Sequence, residues 1–200
     1  MSKEEKLQKL EKEMEKDETL PLKKGANRLV FGVGNPETKI LLIGEGPGYW
    51  EDQKGEPFVG NAGKFLDTLL ASAKLEREDV FITNVVHHRP PNNRDPFPNE
   101  LDAYGKYLDQ IIETISPKVI VTLGRFSMAK FLPNVKISGV HGKASEVEWK
   151  GKEIVVMPMY HPAAGLRNGN VREATIKDFE KLPEVIEKSN QIKTEQIELL

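Results

Sequence analysis

The sequence predicts an α/β fold, a three-layer α/β/α sandwich around a central, mainly parallel four-stranded sheet, and two observations carry that prediction. From Lys39 onward, apolar runs of strand length alternate with segments of helical period, the pattern of parallel strands joined by crossover helices. Two of those runs then stop at glycine- or proline-shaped loops bearing a polar group. Lys39–Ile43 leads into Gly44-Glu45-Gly46-Pro47-Gly48, and Ile154–Met157 leads to His161-Pro162-Ala163-Ala164-Gly165-Leu166-Arg167. An open α/β sheet builds its site at the carboxyl edge in this way.

In chain order, Leu7, Leu10 and Met14 recur at three- and four-residue steps among Lys and Glu, which predicts an amphipathic helix over 3–16 resting on the domain. After Pro21 and Gly25, Arg28–Phe31 reads as a short strand and Gly32–Pro36 as a turn. Those glycines lack the third glycine and following helix of a dinucleotide fingerprint. The periods then give strand 39–43, helix 62–73, strand 80–86, helix 99–115, strand 118–123 and helix 125–132. Pro98-Asn99 starts the helix at 99 and Ser116-Pro117 ends it. Lys150-Gly151-Lys152 turns a hairpin between 145–149 and 153–157, and 171–188 forms a closing helix. The expected division is a charged N-terminal helix at 1–20, one domain at 21–188 and a flexible tail at 189–200.

Two hundred residues with 38% hydrophobic content suffice to bury one core without disulfides or metals. No cysteine is present, which removes a disulfide framework, a zinc–thiolate site and a cysteine nucleophile. The densely charged start has no signal-peptide core, and no run approaches the length of a membrane span, so a cytoplasmic protein without membrane contact is expected. Net charge is -2, with acidic excess at both ends and a slight basic excess between them. That distribution is compatible with DNA binding and does not by itself point to it.

The loop after the first run continues through Glu51-Asp52 to Gly55-Glu56-Pro57-Phe58-Val59-Gly60-Asn61-Ala62-Gly63. With Thr83-Asn84-Val85-Val86, Arg89-Pro90-Pro91-Asn92-Asn93-Arg94 and His161-Pro162-Ala163, these segments resemble, in order and spacing, family 4 of the uracil-DNA glycosylases. The resemblance runs from about Arg28 to Phe179. It implies an enzyme that flips uracil out of DNA and hydrolyses the N-glycosidic bond, leaving an abasic site for base-excision repair. No motif position holds a lysine to act as a Schiff-base nucleophile, so monofunctional hydrolysis is expected.

Cutting a base from deoxyribose requires a pocket for the base, stabilisation of the departing anion and a site for the cationic sugar. Phe58 offers an aromatic face for stacking. Asn84, an amide near the carboxyl end of the 80–86 apolar strand, can accept from uracil N3–H and donate to O4, a pattern that cytosine reverses. His161 is the expected donor to uracil O2 as charge builds. The resemblance implies that Glu45 organises the pocket and the hydrolytic water, and that Gly46 stands where other uracil glycosylases place an aspartate. It further implies that Glu51 stands against uracil C5 and excludes thymine, and that Leu166 enters the minor groove as a wedge with Arg167 on the backbone. Arg89, Asn93 and Arg94 are expected on phosphates.

One departure is large. Members of the family usually hold a four-iron, four-sulfur cluster on four cysteines. The matching positions here fall at about Asp17, Leu20, His88 and Tyr104, none of which supplies a thiolate. No cofactor and no metal are therefore expected, and hydrogen bonds among Asp17, His88 and Tyr104 are expected in the cluster's place. Adjacent His87 and His88 point to opposite sides of an extended chain and are not expected to share a metal. The expected partners are uracil-containing DNA and downstream abasic-site repair enzymes, with the protein itself a monomer. The alternatives are a non-catalytic or cross-linking uracil-DNA binder, prompted by His87-His88, a glycosylase for hypoxanthine or xanthine, and a nucleotide enzyme using Gly44–Gly48, which lacks the P-loop ending.

Overall fold

A computed structural model describes the backbone of residues 1–198 and the side chains of 1–190. In chain order the elements are α1 (Lys3–Lys16), β1 (Val33–Gly34), β2 (Ile40–Gly44), α2 (Tyr49–Lys54), α3 (Asn61–Ser72), β3 (Phe81–Asn84), α4 (Pro98–Ile115), β4 (Val119–Leu123), α5 (Arg125–Ala129) and α6 (Ile137–Val140). They continue with β5 (Ser145–Trp149), β6 (Lys152–Met159), α7 (Pro162–Arg167), α8 (Gly169–Phe179) and α9 (Leu182–Glu198). The sheet order is β1-β3-β2-β4-β6-β5. The inner four strands are parallel, the expected core, and the two outer strands are antiparallel, so the described sheet has six strands rather than four.

Strand periodicity divides the core. Leu41 and Ile43 face one hydrophobic cluster, while Ile40 and Leu42 face the other, because successive side chains leave opposite faces of a strand. The first cluster is closed by α1 and α4, and the second by α3, α8 and the start of α9. With helices on both sides, the central strands β2 and β4 are buried throughout and read as near-continuous apolar runs.

Helix α1 is part of this core. A capping box between Ser2 and Glu5 starts it, and Leu7, Leu10 and Met14 are buried against α4. Its acidic and basic residues take the outer face, so a charged segment still closes a hydrophobic layer.

Several boundaries differ from the sequence reading, among them the strand expected over 80–86, which is β3 and ends at Asn84. Arg28–Phe31 is not a strand: Val30 and Phe31 bury their side chains, the Val30 amide donates to the His87 carbonyl at 2.8 Å, and the edge strand forms at Val33–Gly34. The helix expected over 125–132 is α5, which ends at Ala129. The closing helix expected over 171–188 is two helices, with Pro183 in the first turn of the second, where its missing N–H costs nothing. The segment expected as a tail from 189 is helical as far as Glu198, and Leu199 and Leu200 lie outside the described residues.

The parallel strands point their carboxyl ends the same way. Gly44, Asn84, Leu123 and Met159 therefore release Glu45, the 85–97 segment, Gly124 and His161 along one edge. Four separate stretches of sequence meet there.

Candidate functional site

A cavity of about 380 Å³ opens at this edge, within the size range of small-molecule sites. Glu45, Gly46, Glu51, Phe58, Asn84, Asn93, Arg94, His161 and Arg167 all line it. Of the sequence-predicted residues, only Arg89 and Leu166 stand outside the lining.

Phe58 has a left-handed backbone at φ 55°, unusual for a bulky residue and costly by roughly 1–2 kcal/mol. Its surroundings enforce that conformation. The Phe58 carbonyl accepts from the Arg77 guanidinium at 2.6 Å, and the next two amides, Val59 and Gly60, both donate to Glu51 Oε1 at 3.0 Å. A Cβ at Gly63 would stand 1.7 Å from the Phe58 carbonyl oxygen, so only glycine lets the first turn of α3 pass beneath the loop. The Phe58 ring is buried and stacks on the His161 imidazole with centroids 5.6 Å apart. Glu51 lines the pocket, but one of its oxygens is committed to holding the Phe58 loop, a role invisible in the sequence.

His161 begins α7, and its Nδ1 accepts from the Ala163 amide at 3.2 Å. An imidazole accepting at Nδ1 carries its proton on Nε2, which fixes the neutral tautomer with Nε2–H as donor. Burial, assisted by the positive charge of Arg167, pushes its pKa down to about 4, so the ring is neutral at physiological pH. Behind it, Tyr160 packs on His141 with centroids 4.4 Å apart, and Asp178 holds His141, anchoring the end of β6.

Asn84 is 2% exposed, and its Oδ1 has no hydrogen-bond partner among the described residues. A buried unpaired acceptor costs about 1–3 kcal/mol, and this one belongs to a residue that lines the pocket. Glu45 is also largely buried, which raises its pKa, opposed by the amides of Phe126 and Arg125. The Phe126 amide donates to its Oε1 at 3.0 Å. Glu45 thereby serves the first turn of α5, and Gly124 permits the approach, with φ 111° and an added Cβ only 2.3 Å from Glu45 Oε1. The sequence reading missed this α5 contact, although Gly124-Arg125 follows a predicted strand at the same edge and could have signalled it.

The basic segment is more committed than expected. Arg94 donates both terminal nitrogens to Glu100, at 2.8 and 2.6 Å, and lies over the Phe97 ring. Arg89 donates to Asn93 Oδ1 at 2.7 Å and lies over Tyr49. Arg125 pairs with Asp95, another residue of the pocket lining. Leu166 is exposed on α7 beside Arg167, as a wedge would have to be.

The four positions matched to cluster ligands do not fit an iron–sulfur cluster. Leu20 and Tyr104 are packed in the apolar core and none of the four supplies sulfur. Tyr104 Oη accepts from the Leu22 amide and donates to His88 Nδ1, at 2.8 Å. The expected three-way link is corrected in one respect: Asp17 does not join His88 and Tyr104 but accepts from Tyr107 Oη at 2.7 Å and Lys106 Nζ at 2.9 Å. Hydrogen bonds to the charged carboxylate hold the Asp17 pKa well below the usual range. His87 turns to Thr83 Oγ1 at 3.1 Å, so neither adjacent histidine lines the pocket, and the cross-linking alternative loses its motivating residues.

A family model described as the uracil DNA glycosylase superfamily matches residues 31–185. The type-4 uracil-DNA glycosylase of Archaeoglobus fulgidus is 51% identical over 170 residues, covering 82% of this chain and 85% of that protein. The type-4 uracil-DNA glycosylase of Thermotoga maritima is 42% identical over 170 residues, covering 84% and 88%. A type-5 uracil-DNA glycosylase of Thermus thermophilus is 34% identical over a shorter 120 residues, 52% of this chain and 54% of that protein.

Proposed function

This chain belongs to the uracil-DNA glycosylase superfamily, and from that premise we propose that it excises uracil from DNA by hydrolysing the N-glycosidic bond, without an iron–sulfur cluster. The observation that carries the assignment to uracil is the buried, unpaired Oδ1 of Asn84 in a pocket it shares with His161. A flipped uracil places N3–H on Asn84 Oδ1 and O4 within reach of its NH2 group, while cytosine offers an acceptor at N3 and leaves Oδ1 unsatisfied.

The rest of the pocket serves bond cleavage. The Phe58 ring covers the base. His161 Nε2–H donates to O2 as the bond between N1 and C1′ breaks and the electron pair moves onto uracil; because the imidazole is neutral, it stabilises the anion without first giving up a proton. Glu45, with Oε1 fixed by the Phe126 amide, faces the pocket as the group that stabilises the cationic sugar and orients water toward C1′. Water oxygen bonds to C1′, and its proton leaves to the departing base or to Glu45, whose raised pKa suits it to proton transfer. Glu51 acts twice, since one oxygen holds the Phe58 loop while its side chain closes the wall that the C5 methyl of thymine would strike.

Arg89, Asn93 and Arg167 hold the phosphate backbone, with Arg94 positioned by Glu100, and Leu166 fills the gap left by the flipped nucleotide. The protein acts as a monomer in the cytoplasm, beside the DNA it repairs, and its abasic product requires downstream abasic-site enzymes. The test is incubation without added metal with oligonucleotides carrying U:G, U:A, single-stranded U, hypoxanthine or xanthine, divided between alkali cleavage and denaturing protein gels. Alkali-labile breaks at uracil that vanish in His161→Ala support the reading. Breaks only at hypoxanthine or xanthine, or a protein–DNA adduct without breaks, overturn it.

A further inference from the structure

Few large apolar side chains are exposed among the described residues, and the three aromatic ones are each next in the chain to a residue that lines the pocket. Tyr49 and Trp50 are 50% and 57% exposed at the start of α2, next to Gly48 in the pocket lining. Phe97 is 53% exposed at the start of α4, next to Pro96 in the same lining. Each site is paired with an arginine: the Arg89 guanidinium lies 5.2 Å from the Tyr49 ring centroid, and that of Arg94 3.8 Å from Phe97. Arg89 and Arg94 sit in one short segment, in which Arg89 is tied to the pocket-lining Asn93. The Tyr49 and Trp50 rings meet edge to face, with centroids 5.2 Å apart, so their orientation is set before any ligand arrives.

We propose that Tyr49 with Trp50, and separately Phe97, are stacking platforms for unpaired bases next to the flipped nucleotide, giving the enzyme a preference for uracil in single-stranded DNA. This rests on the glycosylase reading of the pocket. Aromatic faces backed by arginine bind single strands because every base has a π-face, whereas a duplex keeps its bases stacked on one another and out of reach. Each ring belongs to a residue next in the chain to one that lines the cavity, within reach of nucleotides flanking a flipped base. A protein partner could also cover exposed aromatic rings, but it would have to sit over the mouth of the pocket.

The experiment has two arms. In a W149F background, Trp50 is the sole tryptophan, and its fluorescence is titrated with oligothymidylate lacking uracil and with a duplex hairpin of equal charge. The single strand quenches strongly and the duplex weakly; equal or absent quenching overturns the platform whatever the enzyme cuts. In single-turnover excision, W50A and F97A raise the half-saturating concentration of single-stranded substrate by roughly tenfold each, leave the maximal rate unchanged and alter U:A duplex by less than about twofold. W50F restores most of the binding and W50L does not, which separates a π-face from apolar bulk. Equal loss on both substrates, or no loss on either, overturns the proposal. Quenching without any uracil excision would instead overturn the glycosylase reading and leave the platform standing.

Discussion

Acid should unfold this protein through three histidines: His161, whose pKa is pushed down to about 4, and the adjacent pair His87 and His88. His87 is fully buried, donates Nε2–H to Thr83 Oγ1, whose own hydroxyl is used on the Phe31 carbonyl, and has an Nδ1 with no partner among the described residues. His88 Nδ1 accepts from Tyr104. Protonating either ring puts a proton where no acceptor waits or where a donor already points. Burial pushes the His87 pKa down to about 3, with His88 adding to the effect, and pushes His88 down to about 4, with Lys23 adding and Asp52 opposing. All three values lie below the ordinary 6.5 of an unfolded histidine, so in that interval the unfolded chain binds protons that the folded chain does not. Stability is therefore complete above pH 6.5 and is lost as the pH falls toward 4 and 3.

At about pH 5 each of the three histidines costs on the order of 2 kcal/mol, about 6 kcal/mol together, against a usual total of 5–15 kcal/mol. Asp17, with its depressed pKa, adds its loss only at lower pH, and buried Glu45, with its raised pKa, works in the opposite direction. The assay is urea unfolding followed by circular dichroism at pH 7, 6 and 5. His88→Gln retains an acceptor for Tyr104 and cannot ionise, so its loss between pH 7 and 5 should be about two thirds that of the wild type, roughly 4 kcal/mol. A wild type equally stable at both pH values, or a variant with the wild-type pH dependence, would refute the reasoning.

Four further outcomes are expected. His161→Ala and Asn84→Ala should each lower kcat/KM on uracil DNA by at least about a hundredfold while melting like the wild type; near-normal turnover in either removes it from the mechanism. Gly44→Ala puts a methyl 2.4 Å from Asn84 Oδ1 and 2.8 Å from the Phe58 ring, so it should block base entry and raise KM steeply, with retained uracil excision the contrary result. Glu51→Ala leaves the Val59 and Gly60 amides without their acceptor and should destabilise the protein by about 1–3 kcal/mol, measured by urea unfolding, besides weakening uracil excision. A double-mutant cycle on His88 and Tyr104 should give a coupling of about 0.5–3 kcal/mol, whereas His88 with Asp17 should show almost none, since they share no bond.

The sequence determined by itself the parts of this protein that are local. The alternation of apolar runs and helical periods dictated the parallel core, because burial on both faces demands uninterrupted apolar strands. The loops after the runs ending at Ile43 and Met157, and the amide near the end of the strand read over 80–86, marked the candidate site because a polar group at a strand end falls at the carboxyl edge. The absence of cysteine already decided against a thiolate-held cluster. Tertiary structure alone decided what those residues are free to do. Glu51 appears in sequence as a loop carboxylate, and only folding brings Val59 and Gly60 onto it to hold Phe58 in its left-handed conformation. Glu45 is joined to the amide of Phe126, 81 residues away, and Asp17 to Tyr107, 90 residues away. Such pairings leave no periodic trace in the chain, because each is fixed by the packing of whole elements and not by the spacing of neighbours.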